Sequence, residues 1–263
     1  MDPGIFGFRS NARAFRVPGG LVLLILRWES RLGHTGAMSD DSKAVTTQRS
    51  TVEDWTEALA QSVGSPGGGA GAGVMLAIAA SLASMVAGYT EADGHQLTEL
   101  ADVHARVRSL REAALRLADK DASASQAFGA AFRLDPGPER EDAIHRASVD
   151  AAKASAVLGE RAIDAIGDLE WLASNGNPAL VADVVVAFGA LRAAVTGART
   201  NVSFDLAALT SAGRTLEQIR DEQPALWATV ENLDAAVDRI DRLTAEVNHR
   251  SAPAGSGSQG ATP

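Results

Sequence analysis

None of the chain's 263 residues is cysteine, so it has neither a disulfide framework nor a thiolate metal site. A chain without thiols suits the cytoplasm, and a cytoplasmic protein is the expectation. Aromatic residues make up only 5% of the chain and β-branched clusters are few, whereas Ala is abundant. That balance favours helices over sheet. Basic charge is in deficit, with 24 Lys and Arg against 33 Asp and Glu and a net charge of −9. This argues against general nucleic-acid binding, which needs basic patches. The common catalytic signatures are missing too: there is no HExxH, no GxSxG, no P-loop lysine and no Cys/His cluster. The five histidines (His34, His95, His104, His145 and His249) stand singly on polar faces. A zinc enzyme or hydrolase of a common type is disfavoured, and no metal is expected.

What the chain does have is the stretch GSPGGGAGAGVMLAIAASLASMVAGYT, residues 64–90, with no charged residue between Glu57 and Glu91. Pro66, Gly67, Gly68 and Gly69 resist helix propagation, whereas nothing interrupts the segment between Gly73 and Gly88. The pattern predicts a glycine loop feeding a helix that is apolar on every side, hence a central one. The loop would present backbone N–H groups at the helix's positive end, to an anion or to a polar ligand edge. Three plainer readings compete. A flexible linker rarely runs straight into an apolar helix. A membrane span has the length but not the aromatic and basic flanks. Close helix packing through Gly and Ala is compatible with a ligand site.

The first 37 residues carry Arg9, Arg13, Arg16, Arg27 and Arg31 around a short apolar run, Leu21 to Leu26. Arg27 cuts that run too early for a signal peptide. Met38 opens a polar stretch, so residues 1–37 are expected to be an upstream extension or misassigned start, outside the fold. Residues 38–50 read as a disordered polar lead, 51–249 as the helical domain and 250–263, SAPAGSGSQGATP after Arg250, as a disordered tail.

Within the domain, Thr51 with Asp54 marks a helix start, followed by Trp55, Leu59 and Val63 at steps of four. After the central helix, a stripe from Leu97 to Leu117 predicts a helix over 94–118, and DKDASASQAFGAAFRL a further one. A long stretch over 139–174 is expected to bend near Gly159. SNGNP then supplies Gly176 as a C-cap, Asn177 as an N-cap and Pro178 at the first helical position. The next helix carries Leu180 to Val195 inward and is expected to break at Gly197, with TNVSFDLAAL as a turn or short helix. Pro224 starts a last helix whose stripe, Leu226, Val230, Leu233, Val237, Ile240 and Leu243, faces either the bundle or a partner subunit. The expected fold is all-α, an up-and-down bundle of about seven to nine helices around the apolar helix that follows the Gly-rich loop.

Four polar spots could carry chemistry. They are the SPGGG loop; Asp119-Lys120-Asp121, which also suits a helix start electrostatically; Asn177 with Asp183, a carboxylate on the shoulder of an apolar stripe; and Asn201 with Asp205. In this order, SPGGG with SLASMVAGYT, then DKDA, then GN…AD, then GARTNVSFDL, the chain resembles the cyclodeaminase/cyclohydrolase family over roughly residues 51–249. That family includes the formimidoyltetrahydrofolate cyclodeaminase domain and the methenyltetrahydrofolate cyclohydrolases.

The resemblance implies an all-helical homodimer acting on a tetrahydrofolate derivative, with no bound cofactor, no metal and no membrane or nucleic-acid partner. The reaction would close 5-formimidoyltetrahydrofolate with loss of ammonia, or add water across the bridge of 5,10-methenyltetrahydrofolate. Both pass through a tetrahedral carbon between two nitrogens and require proton transfer beside it. By resemblance, Gly67, Gly68 and Gly69 line the folate pocket, and Asp119, Asp121, Asn177, Asp183 and Asn201 supply its polar groups. Acid/base work is expected at Asp183, then Asp121, with Asp119 beside it, and Lys153 is expected to meet the glutamate tail. The chain departs from the pattern at Ala70 (usually Ser), at Ala156-Val157-Leu158 (usually with Pro), at Ala182 (usually Ser) and at Phe204-Asp205-Leu206 (usually Ile-Asn-Leu). These departures leave open a catalytically lapsed binding protein of the same fold.

Overall fold

The computed structural model describes residues 13–16, 22–25, 45–61 and 65–251. The chain divides into two units, Met1–Ala44 and Val45–Pro263. In the first, β1 (Arg13–Arg16) pairs antiparallel with β2 (Val22–Ile25), Arg13 opposite Ile25 and Arg16 opposite Val22. No element was expected there. The remainder of residues 1–37, and most of the expectation of an upstream extension, lies outside the described residues, as do residues 38–44 and the tail beyond Ser251.

The second unit is an all-α bundle. Among the described residues it has seven α-helices: α1 (Val52–Leu59), α2 (Gly68–Gly88), α3 (Gly94–Phe132), α4 (Pro138–Asn175), α5 (Val181–Ala208), α6 (Leu216–Glu222) and α7 (Pro224–Ser251). Short 3-10 turns precede and follow α5, at Pro178–Leu180 and Leu209–Ala212. Thr51 caps α1 as its spacing predicts, accepting from the Asp54 N–H at 3.1 Å. The Leu216–Glu222 helix, for which no pattern was read, starts on a capping box formed by Thr215 and Gln218.

Helix α2 is the centre of the bundle, packed against α3 and α5 and touching α4. Its small residues explain the arrangement. A Cβ on Gly73 would stand 2.7 Å from the Ala118 Cβ of α3, and one on Gly197 of α5 would stand 2.8 Å from the Ala72 Cβ. Real Cβ atoms do not approach so closely, so these glycines set the spacing of three helices. Leu76, Ala79, Ala83 and Val86 are buried along the same helix. By length and composition alone, α2 and the stretch Pro178–Ala208 are apolar enough to cross a membrane, although 56% of the α2 window and 33% of the other are buried within the fold.

Two boundaries differ from the sequence reading, each because tertiary packing overrides a local signal. Helix α3 runs unbroken through residues 118–121, so Asp119 and Asp121 sit inside a helix and not at its start. Helix α5 continues through Gly197 to Ala208. The glycine costs the helix about 1 kcal/mol, but it admits the Ala72 methyl. Helix α4 spans the long stretch expected, and at Gly159 an added Cβ would meet the Leu233 side chain at 2.7 Å and Ala198 at 3.1 Å. That glycine is a contact point for α5 and α7.

The α7 stripe faces the bundle. Leu226, Leu233, Ile240 and Val247 are buried, and α7 packs on α4 and α5. Ion pairs flank it: Arg192 with Asp241, Arg239 with Glu170 and Arg199 with Asp234. The polar lead is corrected over residues 45–50, where the chain is tied down. The Thr47 N–H donates to Asp119 at 2.6 Å and Gln48 Nε2 at 3.1 Å. Trp55 Nε1 donates to Thr47 Oγ1 at 3.1 Å, and the buried Trp55 ring packs with Ala70 and Ala118.

Candidate functional site

The continuity of α3 and α5 builds a polar cavity at the N-terminal end of α2. Asn201 and Asp205 lie four residues apart on α5 and so share a face. Asp121 reaches in from α3, Ser155 and Ala151 from α4, and Gly68 and Gly69 from the first turn of α2. Ser125 and Phe128, further along α3, complete a cavity of about 120 Å³. Phe128 is backed by Phe132, the ring centroids 4.9 Å apart.

The two carboxyl groups dominate its chemistry. Asp121 is 6% exposed, and Ser155 Oγ donates to its Oδ1 at 3.4 Å. Its Oδ2 is buried with no hydrogen-bond partner. Burial raises the Asp121 carboxyl above its ordinary range, while the Ser155 hydroxyl, the Ala70 N–H and the Ser125 hydroxyl pull it partly back. Asp205 lacks such donors. Its carboxyl is pushed up to about 7, chiefly by burial and then by the Asp121 charge. A pair of carboxyls with separated affinities for the proton, one poised near neutrality, is the arrangement that supports acid and base work in one site.

The glycine loop is used differently from the simplest expectation. The positive end of α2 meets the chain's own Asp121, to which Ala70 gives its N–H. A Cβ on Gly69 would collide with that carboxylate, whereas one on Gly67 would meet nothing within 4 Å. The closest approach to Gly68 is from Asn201 Oδ1, 4.0 Å from where a Cβ would sit. So Gly69 is glycine to admit Asp121, and the anion at the helix terminus is internal.

Of the residues singled out in the sequence, the cavity brings together Gly68, Gly69, Asp121, Asn201 and Asp205. Gly67 caps α2 beside it, with an extended backbone. The others lie elsewhere. Asp119 is occupied by Thr47 and Gln48. Asn177 stands at the opposite end of α2: its Oδ1 accepts from the Ala179 N–H at 3.0 Å, its Nδ2 donates to the Tyr89 carbonyl at 3.0 Å and its own N–H to Thr90 Oγ1 at 3.1 Å. It is a cap that ties two loops. Asp183 lies in the first turn of α5, where its charge complements the helix dipole. At 1.5 Å per residue it is about 27 Å along α5 from Asn201. Lys153 is exposed. Lying between Ala151 and Ser155, which line the cavity, it occupies the other side of α4.

Ser125, Ser155 and Phe128 are residues that a reading by motif did not single out, and Asp205, noted beside Asn201 and as a departure from the usual Asn, was given no role there. The signal for Asp205 was the four-residue step from Asn201, which puts both on one face once that stretch is helical. Among the described residues, no group of His, Asp and Glu is arranged to hold a metal ion.

A family model described as formiminotransferase-cyclodeaminase matches residues 51–223. The fold matches the crystal structure of formiminotetrahydrofolate cyclodeaminase from Thermotoga maritima with a TM-score of 0.65 and 23% identity, over 78% of this chain and 98% of that one. No curated protein sequence matches.

Proposed function

The chain belongs to the formiminotransferase-cyclodeaminase family, and from that premise we propose that it acts on the one-carbon unit of 5-formimidoyl- or 5,10-methenyltetrahydrofolate in the cavity at the head of α2. The observation that carries the reading is the Asp121–Asp205 pair. In the deaminase direction the substrate carbon is an amidinium, N5–CH=NH2+. Attack by N10 forms the second C–N bond and gives a tetrahedral carbon bearing three nitrogens. Asp121, as carboxylate, takes the N10 proton. Asp205, protonated near neutrality, gives its proton to the NH2 group, which leaves as ammonia. The positive charge returns to the N5–CH–N10 bridge, and the proton held by Asp121 resets the pair. Charge and protons balance without an external acid. In the hydrolase direction the same pair would deprotonate water as it attacks the bridge carbon and protonate the departing nitrogen.

The cavity takes only the reacting group. About 120 Å³ holds a few waters or a small organic fragment, so the rest of the folate lies across the surface outside it. Asn201 and the Gly68 backbone at the cavity wall would position the bridge nitrogens.

A second copy of the chain is part of the proposal. Along α2, Met75, Ile78, Met85 and Tyr89 are exposed, and along α5 so are Val186 and Phe204. The α2 residues recur at steps that keep them on one side, with no charge between them. An uncharged face spread over two packed helices suits burial in a homodimer.

The test is absorbance in the near-ultraviolet band of 5,10-methenyltetrahydrofolate. The protein is expected to accelerate its appearance from 5-formimidoyltetrahydrofolate or its decay by hydrolysis, and Asp121→Asn to abolish whichever occurs. A flat trace in both directions would leave a folate-family bundle without catalysis.

A further inference from the structure

We propose that Asp119 is a positioning residue for the cavity. It holds residues 45–61 as a strap ahead of α2, and through Trp55 that strap keeps Ala70, in the first turn of α2, in place against Asp121. No residue of the strap lines the cavity, so it acts from outside. Only its effect on turnover rests on the folate reading; its hold on Asp121 does not.

Asp119 and Asp121 stand two residues apart on α3, about 200° around the helix, so their side chains leave in nearly opposite directions. Asp121 is buried at the cavity, whereas Asp119 is half-buried on the far side. Both Asp119 oxygens are engaged by the strap: Oδ1 accepts the Thr47 N–H at 2.6 Å, and Oδ2 accepts Gln48 Nε2 at 3.1 Å. Thr47 Oγ1 in turn accepts from Trp55 Nε1 at 3.1 Å. The first of these bonds is charge-assisted and part-buried, which makes it the strongest of the three. Helix α1 needs such an anchor, because Trp55 is its one buried residue and a helix of two turns is not stable alone. The Trp55 ring packs on Ala70 and Ala118, with Val74 and Ala122 beside them. Ala70 is completely buried and gives its N–H to Asp121. The carboxylate also lies where a Cβ on Gly69 would be, so the first turn of α2 is fitted closely to it. One turn past Asp121, Gln126 Nε2 donates to Ser65 Oγ at 2.9 Å. Helix α3 therefore grips the chain ahead of α2 at residues on either side of the one it sends into the cavity.

The test compares Asp119→Ala with Asp119→Asn in the full-length protein. Both remove the charge. The Asn side chain keeps an acceptor for the Thr47 N–H and offers its amide to Gln48, whose exposed side chain can turn its Oε1 toward it; Ala does neither. The first readout is the Ala70 amide proton in NMR spectra recorded across pH, since an amide that donates to a carboxyl shifts as the carboxyl ionises. It is read in an Asp205→Asn background, where Asp121 is the one titratable side chain left in the cavity lining and a single transition is seen. Asp119→Ala should lose at least about half the amplitude of that transition, because hydrogen bonds weaken steeply with distance and angle, and Asp119→Asn should keep it. Thr47→Pro, which removes the N–H from the strap's side, should match Asp119→Ala. The second readout is turnover with Asp205 intact: kcat should fall about tenfold in Asp119→Ala and Thr47→Pro with KM within about twofold, and stay within about threefold of wild type in Asp119→Asn. An Ala70 transition undiminished in Asp119→Ala, or diminished equally in Ala and Asn as loss of charge alone would give, would overturn the proposal. The Ala70 readout needs no substrate. An inactive protein whose Ala70 responds as expected sinks only the folate reading, and an active enzyme whose Ala70 ignores Asp119 sinks this proposal alone.

Discussion

Replacing Asp205 with Asn should stabilise the protein above neutrality and leave it unchanged in mild acid. An ordinary aspartate loses its proton near pH 3.9, whereas Asp205 in the folded chain keeps it up to about 7 because it is buried beside Asp121. Between those values the folded state holds more protons than the unfolded state, so stability falls as pH rises through this window. Above about 7 the loss is complete. About three pH units at about 1.4 kcal/mol each set a ceiling near 4 kcal/mol. Asp205 is only half-buried, and solvent at the cavity mouth reduces the penalty, leaving an expected gain of about 1–3 kcal/mol for the variant at pH near 8. Asn keeps the shape and cannot ionise. Urea unfolding of both proteins near pH 4 and near pH 8, followed by Trp fluorescence, reads the difference directly. Equal stability differences at the two pH values, or a variant less stable than wild type at the higher one, would refute the account of a buried carboxyl poised near neutrality.

Other outcomes follow from the packing. Gly69→Ala drives a methyl group into the Asp121 carboxylate and should cost about 1–3 kcal/mol of stability and at least about tenfold in turnover, whereas Gly67→Ala, with open space around it, should stay within about 0.5 kcal/mol of wild type; thermal melts and initial rates distinguish the two. Asp183→Asn, about 27 Å from Asn201 along α5, should leave kcat within about threefold, a result that a hundredfold loss would contradict. Ile78→Lys on the exposed side of α2 should convert a dimer to a monomer by analytical ultracentrifugation, while a wild-type monomer at micromolar concentration would remove the proposed self-association.

How much of this was legible in the sequence depended on whether a signal was local. The apolar run after SPGGG identified α2 as the central helix because an uncharged face on every side has no place but the interior. Asn177 followed by Pro178 marked the cap of the turn that leads into α5 for a similarly local reason. Glycines were read less well. Gly197 looks like a break when weighed by propensity alone, and it sits inside a continuous helix because the Ala72 methyl needs the space. Misreading Gly197 separated Asn201 and Asp205 from the helix that aims them, and it left Asp183 as the more conspicuous carboxylate. Asp121 was visible as a charged residue in DKDA, but its burial depends on Gly69, fifty-two residues earlier in the chain, and no local pattern records that contact.

The measurement that bears most directly on the central claim is the pH dependence of kcat/KM for ammonia release from 5-formimidoyltetrahydrofolate, in wild type and in Asp205→Asn. Because kcat/KM reports the free enzyme, the wild type should lose activity as pH rises through about 7, where Asp205 gives up its proton. The variant should be slower by about a hundredfold and show no such limb. The same falling limb in both proteins, or a variant as active as wild type, would show that Asp205 is not the proton donor and that the chemistry happens elsewhere.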